Sequence, residues 1–541
     1  MASKTRIFFL NALSLTTTAL IMRGVSVIFN IYVSNRAGSE AMGLFSLLTS
    51  VYGFSITIAT ASINLGATRL ISDALGLGDV SLAKRSAKKA ILACTVTGSV
   101  AALLLFVFSD VISKYILGDM RAAQSLRVLA LTLVPVAISS CLSGYFTAVR
   151  RVKVHATFQI VTQFVKIGVT VFLLSFMVDL GTEQACMALV LGGAAAEFIS
   201  LLISFLLYLR DLRILSRHSH NTREVAAWGI TGRGILKKLL TITLPVTLSA
   251  CIRSALSMFQ HVLVPRGLCA SGSSWSEALS SYGYLHGMAL PLILFPSAFI
   301  SAFAGLLIPE VSEFCVQKDS RRLGRVSYRA LTMSLIFSVG VSGIMIFFSH
   351  DIGLAVYKSP EVSQYIRIIA PLIPVMYIDS AADAVLKGSG HQLYSMNVNI
   401  ADVLTACILA LTLIPKLGIW GYIISIYATE ILNTTLSVSK MISVSKMKPR
   451  IFHQVVMPII CIIGATNISN LLMQNTQVIG SRSGRLVFQI FVTSAIYIVL
   501  LLLTRTLGKD ESELLNASLL SLKQYDRKFR SALPVKTQDG T

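Results

Sequence analysis

Apolar runs of about twenty residues recur along this chain from near its first residue to Arg505. A run of that length crosses the hydrocarbon core of a bilayer as a helix. Only helices and closed barrels satisfy their backbone groups in lipid, and these runs are too long and too continuously apolar for barrel strands. The spacing predicts about fourteen transmembrane helices, at 7–33, 42–66, 88–109, 124–148, 156–177, 185–208, 239–264, 280–308, 328–349, 364–386, 394–415, 418–439, 453–474 and 485–505. Composition agrees: 54% of the residues are hydrophobic and only 13% charged, about half the charge of a soluble domain. The expected fold class is an all-α polytopic membrane protein.

The formal net charge of +22 invites a nucleic-acid reading, but its placement argues against one. Lys and Arg concentrate in alternate loops: Arg69 to Lys89, Arg150 to Lys153, Arg210 to Lys238, Lys318 to Arg329, and Lys446 to Arg450. That is the positive-inside pattern. It predicts a plasma-membrane protein with both termini cytoplasmic, Arg150 and Lys446 inside, and Ser271 and Lys358 outside. Lys4 and Arg6 precede a first span too long for a signal-peptide core, and no small-residue cleavage site follows, so it reads as a retained helix. The eight cysteines lie mostly in apolar spans without a CxxC pair, which argues against a zinc site or a disulfide framework.

The chain repeats itself at a separation of about 240 residues, an interval of six helices. "ISDALGLGDVSLAKR" (71–85) resembles "VSEFCVQKDSRRLGR" (311–325), and "RVLALTLVPV" from Arg127 resembles "RIIAPLIPV" from Arg367. An even interval keeps the orientation, so two six-helix halves run parallel. The expected division is an N-terminal lobe at 1–209, a cytoplasmic inter-lobe loop at 210–238, a C-terminal lobe at 239–441, two added helices at 453–505 and a cytoplasmic tail at 506–541.

Within the repeat, "IMRGVSVIF" (21–29) lines up with "IRSALSMF" (252–259), setting Arg23 opposite Arg253. A guanidinium stays charged and costs about 2.5–3.5 kcal/mol at the centre of a membrane helix. One such residue is explained by snorkelling; two at matched mid-span positions point to a shared water-filled cleft. Gln159, Gln163 and Lys166 fall on one helix face, either lining that cleft or joining helices. Glu197 ("GAAAE") and Glu430 ("IYATE") are repeat equivalents, each a partner for a cation or an ion-coupling group. Asp379 and Asp402 are the other candidates for holding a proton or sodium ion, whereas Asp383 and Lys387 have the spacing of a simple helical ion pair. His261 and His286 lie near the outer ends of their helices. Pro135, Pro245, Pro291, Pro296, Pro371 and Pro374 interrupt helices and permit kinks.

Two stretches carry a family resemblance: "EALSSYGYLHGMALPLILFPSAFISAFAGLLIPEVSE" (277–313) and "GATRLISDALGLGDVSLAKRSAKKA" (66–90). They resemble sporulation-linked members of the polysaccharide-export and lipid II flippase branch of the multidrug/oligosaccharidyl-lipid/polysaccharide (MOP) transporter superfamily. The resemblance covers nearly the whole chain. It implies a MATE/MOP-like fold of two lobes around a central cavity, alternating access, and export of an undecaprenyl-linked saccharide or peptidoglycan precursor, with a part in spore cortex synthesis. Lipid II flippases carry cavity arginines on their first, second and eighth helices. This chain matches the first with Arg23, has none in the apolar part of the second, and offers His286 on the eighth, while Arg253 on the seventh is a substitute of its own.

The expected activity is therefore transport of an anionic lipid-linked saccharide, its pyrophosphate held by arginine forks in a cavity of Arg23, Arg253, Lys166, Gln163 and His286. The lipid-linked saccharide and membrane lipids are the expected partners, the chain is expected to be a monomer, and no cofactor is expected beyond proton or sodium coupling. A multidrug cation antiporter of the same superfamily is the alternative, but it wants carboxylates where this chain has arginines. A membrane polymerase or ligase is disfavoured, since no predicted outside loop is large enough to carry a catalytic site and no nucleophile–base or metal-ligand spacing occurs.

Overall fold

The computed structural model describes residues 2–149, 151–218, 232–447, 452–474 and 482–504. Arg150, the middle of the predicted inter-lobe loop (219–231) and the predicted tail lie outside the described residues. Among the described residues every regular element is helical. The longer helices are α1 (Ala2–Thr60), α2 (Ile63–Gly76), α3 (Val80–Val107), α4 (Ala122–Ala148), α5 (Val152–Met177), α6 (Thr182–His218), α7 (Gly232–Ala270), α8 (Trp275–Tyr282), α9 (Ser297–Val316), α10 (Ser320–Phe347), α11 (Pro360–Ile369), α12 (Ile373–Gly388), α13 (Gln392–Leu417), α14 (Ile419–Ser445), α15 (Met457–Gln474) and α16 (Arg482–Leu503).

Twelve of the described helical segments are long and apolar enough to cross a membrane. The difference from fourteen has two sources. The first two predicted spans adjoin as two helices across a kink at Gly38, which takes a left-handed φ of 82°, and so fall within one segment. The predicted span at 418–439 corresponds to α14, which carries Glu430 and Lys440 and is not among the twelve. Two other expectations change in detail: α6 runs to His218, well past the predicted end at 208, and α7 already begins at Gly232.

The repeat is visible in local geometry. Asp79 and Asp319 cap α3 and α10 with the same backbone angles, accepting from the backbone N–H of Leu82 at 2.8 Å and of Arg322 at 3.0 Å. Such a cap contributes about 1 kcal/mol. Each helix then runs through a short helical turn into a π-helix, Ile112–Leu117 in one half and Gly353–Tyr357 in the other. Each π-helix ends in a left-handed residue, Gly118 or Lys358.

In the N-terminal half α3 packs on α4, and α4 and α5 pack on α6; in the C-terminal half α7 packs on α13, α13 on α14, and α12 is gripped by α9, α10 and α14. The last two helices pair with each other, and α15 lies against α10, where the Tyr497 hydroxyl on α16 donates to the Ile336 carbonyl at 2.8 Å. In lipid the attraction between helices comes from close packing and hydrogen bonds rather than from water exclusion.

The halves meet along the second arm of α1 and α2. A Cβ on Gly283 would fall 1.9 Å from the Ser39 carbonyl oxygen, and one on Gly43 would fall 2.1 Å from that of Leu279. Only glycine permits these backbones to touch. Further along, Thr57 donates to Ser254 at 3.2 Å, Thr247 to the Ala61 carbonyl at 2.6 Å, and Lys238 pairs with Asp73 at 3.8 Å. Because successive spans alternate in direction, the last of these falls at the end of the helices that bears Lys84, Arg322 and Lys446, called the basic face below, and Gly38, Gly118, Gly272 and Lys358 fall at the other end.

Candidate functional site

The chain from Gly283 to Val316 is not a simple helix. It passes through a π-helix at Gly283–Ala289, a short helical stretch at Leu290–Leu294 and a break at Phe295–Pro296 before α9. Proline has no N–H to donate and its ring crowds the preceding turn, so carbonyls near the break lose their helical partners. Side chains take over, as buried backbone in a membrane demands. The Tyr377 hydroxyl on α12 donates to the Ile293 carbonyl at 2.9 Å, Ser297 donates to Leu294 at 2.6 Å, and Tyr357 donates to Met288 at 2.9 Å.

Arg23 reaches this break from the other half. Its Nη2 lies 3.4 Å from the Leu294 carbonyl, and a Cβ on the neighbouring Gly24 would sit 3.8 Å from the Phe295 ring. Tyr377 lies within reach of its charge. Arg23 is exposed and forms no ion pair among the described residues. Three residues on, Ser26 accepts from Gln163 Nε2 at 3.1 Å, so α5 brings Gln163 to the same part of α1. Beyond the break, α9 exposes Phe299, Ser301 and Gly305, and Phe299 packs against Phe337, centroids 4.8 Å apart, which stacks on Tyr377.

Arg253 is likewise exposed on α7, beside the Ser254 that receives Thr57.

Lys166 and Glu197 are electrostatic neighbours that do not close into an ion pair, and Glu197 also acts on Tyr52, whose hydroxyl meets Thr132 at 2.6 Å. The carboxylates of the C-terminal half collect separately. Asp379 on α12, Asp402 on α13 and Glu430 on α14 lie within one another's fields. Asn433, 7% exposed, donates to Asp379 Oδ2 at 3.1 Å. Asp379 Oδ1, Asp402 Oδ1 and Asn433 Oδ1 are buried without a donor among the described residues. Buried acceptors of this kind are costly, and Lys387 is the cation whose charge acts on Asp379. Asp383 differs: Lys387 at 3.3 Å and Ser395 at 2.6 Å satisfy it, as the helical spacing predicted.

His286 is placed by contacts inside its own half. Its Nε2 meets the Tyr422 hydroxyl and its ring stacks on Tyr422. His261, 4.8 Å away between ring centroids, bonds Tyr282 through Nδ1 at 2.9 Å. This aromatic cage backs the π-helix that docks on α1, and none of its hydrogen bonds reaches Arg23. Sequence reasoning missed Tyr377, Ser26 and Asn433, polar residues in apolar runs whose partners come from other helices.

The model of the family described as "Polysaccharide biosynthesis protein" matches residues 9–315, and the MatE model matches residues 268–412. The chain is 26% identical to stage V sporulation protein B of Bacillus subtilis (strain 168), over 94% of this chain and 98% of that protein. Among solved structures it is similar to the lipid II flippase MurJ in an inward closed conformation, with a TM-score of 0.64 at 12% identity over 92% of this chain and 99% of that one. It is also similar to an inward-facing multidrug resistance MATE family transporter of the MOP superfamily, with a TM-score of 0.57 at 16% identity over 79% of this chain and 99% of the other. Both of these structures are of transporters rather than enzymes, and this chain shares their fold. The chain belongs to the polysaccharide biosynthesis protein family and is built as a multi-pass helical membrane protein on the fold of the MOP-superfamily transporters.

Proposed function

We propose that this protein is a flippase that moves an anionic lipid-linked saccharide, of the undecaprenyl pyrophosphate type, across the bacterial plasma membrane by alternating access. The observation that carries the reading is the position of Arg23: an exposed guanidinium with no carboxylate partner among the described residues, at the helix break that it reaches from the other half. A pyrophosphate would occupy the remaining donors of that fork, with Arg253, Lys166 and Gln163 along its path and the prenyl tail left in lipid. On this reading the basic face is cytoplasmic, as are both termini, the two halves act as lobes, and the chain works as a monomer. The sporulation protein and the lipid II flippase among its relatives motivate a peptidoglycan-type substrate and a place in spore cortex synthesis. The buried acceptors around Asp379 and Asp402, with Glu430, support a coupling site for a proton or sodium ion, with Glu197 serving Lys166.

The multidrug antiporter is the second reading, favoured by that carboxylate cluster and by the MATE fold. The two readings separate in one assay. Reconstituted protein is given a panel of lipid-linked saccharides and a set of cationic drugs, and translocation of each is measured. Flipping of pyrophosphate-linked lipids, lost in Arg23→Ala at normal expression, supports the first; drug export without lipid flipping overturns it.

A further inference from the structure

Six polar side chains at the face opposite the basic loops, Glu40, Ser113, Asp119, Arg121, Arg266 and Trp275, take no part in the site above. Asp119 and Arg121 follow the first π-helix. Arg121 holds Asp119 through Nε and Nη2, at 3.0 and 2.7 Å, and reaches Glu40 of α1 at 2.9 Å through Nη1. Ser113 fixes the same turn, donating to the Asp119 carbonyl at 2.5 Å and accepting the Asp119 N–H at 3.0 Å. All of these bonds lie within the N-terminal half. Two others cross to the C-terminal half: Trp275 Nε1 donates to Asp119 Oδ2 at 3.1 Å, and Arg266 donates to the Tyr115 carbonyl.

The acceptor side is shaped for the crossing. Gly118 adopts φ 77°, and a Cβ there would touch the Trp275 ring at 3.4 Å. The donor side is equally fixed. Trp275 begins α8, whose start is locked by a reciprocal cap in which Ser274 accepts from the Glu277 N–H and Glu277 accepts from the Ser274 N–H. α8 leads directly into the π-helix whose Gly283 lies on the Ser39 carbonyl.

We propose that the Trp275–Asp119 bond, reinforced by Arg266 on Tyr115, is the releasable latch that holds the two halves closed at this face, with Arg121 and Glu40 as its anchor. The proposal rests on the alternating-access part of the functional reading and names the contact that reading leaves open. Arg121 is what makes the latch reversible. When Trp275 leaves, Asp119 keeps its guanidinium partner, so release breaks a hydrogen bond and strands no charge. The tryptophan moves with α8, so loss of the latch and undocking of Gly283 from α1 are parts of one motion.

The test uses the full chain in liposomes with spin labels at Leu180→Cys and Leu417→Cys, on exposed positions of the two halves at this face, in a background whose other cysteines are replaced. A control pair, Lys358→Cys with Leu417→Cys, lies within the C-terminal half. Trp275→Phe, which keeps the ring and removes the N–H, and Asp119→Asn are each expected to raise the long-distance population of the cross-half pair roughly tenfold, leaving the control pair fixed. Arg266→Gln is expected to do the same to a smaller extent. Unchanged cross-half distances in both Trp275→Phe and Asp119→Asn overturn the latch, as does a control pair that moves with them. No substrate enters the measurement, so a failed latch and a failed flippase reading are distinguishable.

Discussion

The same corner is built twice in this protein and used differently. In the N-terminal half the π-helix Ile112–Leu117 ends at Gly118, φ 77°; in the C-terminal half Gly353–Tyr357 ends at Lys358, φ 54°. Each corner also takes a side-chain donor from the opposite half on a π-helix carbonyl: Arg266 on Tyr115, and Asn35 on Val356 at 2.7 Å. The difference begins one residue later. Asp119 reaches across to Trp275, whereas Ser359 turns inward, accepting the Val362 N–H at 3.3 Å and donating to Glu361 at 2.7 Å. The lesson is that a repeated backbone fixes where a contact between halves falls, while one side chain decides whether that contact carries a charge.

The comparison is most easily broken at the left-handed residues. Gly118→Val puts a β-branched side chain at positive φ against Trp275 and is expected to cost about 3 kcal/mol, read as a large drop in thermal midpoint in detergent. Lys358→Gly at the twin position is expected to change stability in the opposite direction, by about 0.5–1 kcal/mol, because it relieves a strained φ and gives back part of that in unfolded-chain entropy. Equal effects at the two positions would dissolve the distinction between the corners.

Between those extremes lies Arg23. Arg23→Ala is expected to reduce lipid translocation about thirtyfold, the worth of a hydrogen bond to a charged group, while Arg23→Lys retains part of the activity as a point charge. Wild-type rates in Arg23→Ala would return this residue to a purely local role on the Leu294 carbonyl.

The pH dependence sharpens the contrast further. Burial pushes the Asp119 carboxyl up, but the hydrogen bonds from Arg121 and Trp275 outweigh it and hold the group below the usual carboxylate range. A depressed value in the closed form means that the stabilisation is complete above the ordinary carboxylate pKa of about 3.9 and is lost as pH falls through the lowered one. The cross-half label distance should therefore stay flat from about pH 8 to pH 5. A midpoint inside that window would show that another group controls the latch. The smallest expected effect is at the paired caps, where Asp79→Ala and Asp319→Ala should each cost about 1 kcal/mol or less, alike in both halves; unequal melting shifts would mean that the repeat is not local in origin there.

Much of this was legible in the residues. Span length and composition set the helical membrane fold, because lipid leaves the backbone no other economical partner than itself. The repeat "GDVSLAKR" and "KDSRRLGR" carried its caps with it, since an N-cap acts within one turn. The helical spacing of Asp383 and Lys387 foretold their pairing, and Arg23 stood out by its cost in lipid. What lay beyond reach were contacts between segments far apart in sequence. No periodicity ties Asn433 to Asp379, Ser26 to Gln163, or Tyr377 to the carbonyl at Ile293.

The sequence by itself determined that this chain spans a membrane as helices, that segments such as the Asp79 and Asp319 caps recur along it, and that a permanent charge sits in its first span, because hydropathy, local caps and side-chain chemistry are properties of neighbouring residues. Only the tertiary structure decided that the first two spans adjoin at a kink at Gly38, that His286 belongs to an aromatic cage, and that Asp119 finds Trp275. Those outcomes depend on how helices distant in sequence pack, and packing in lipid is set by the few points where glycine lets two backbones touch and a polar side chain finds the one partner within its reach.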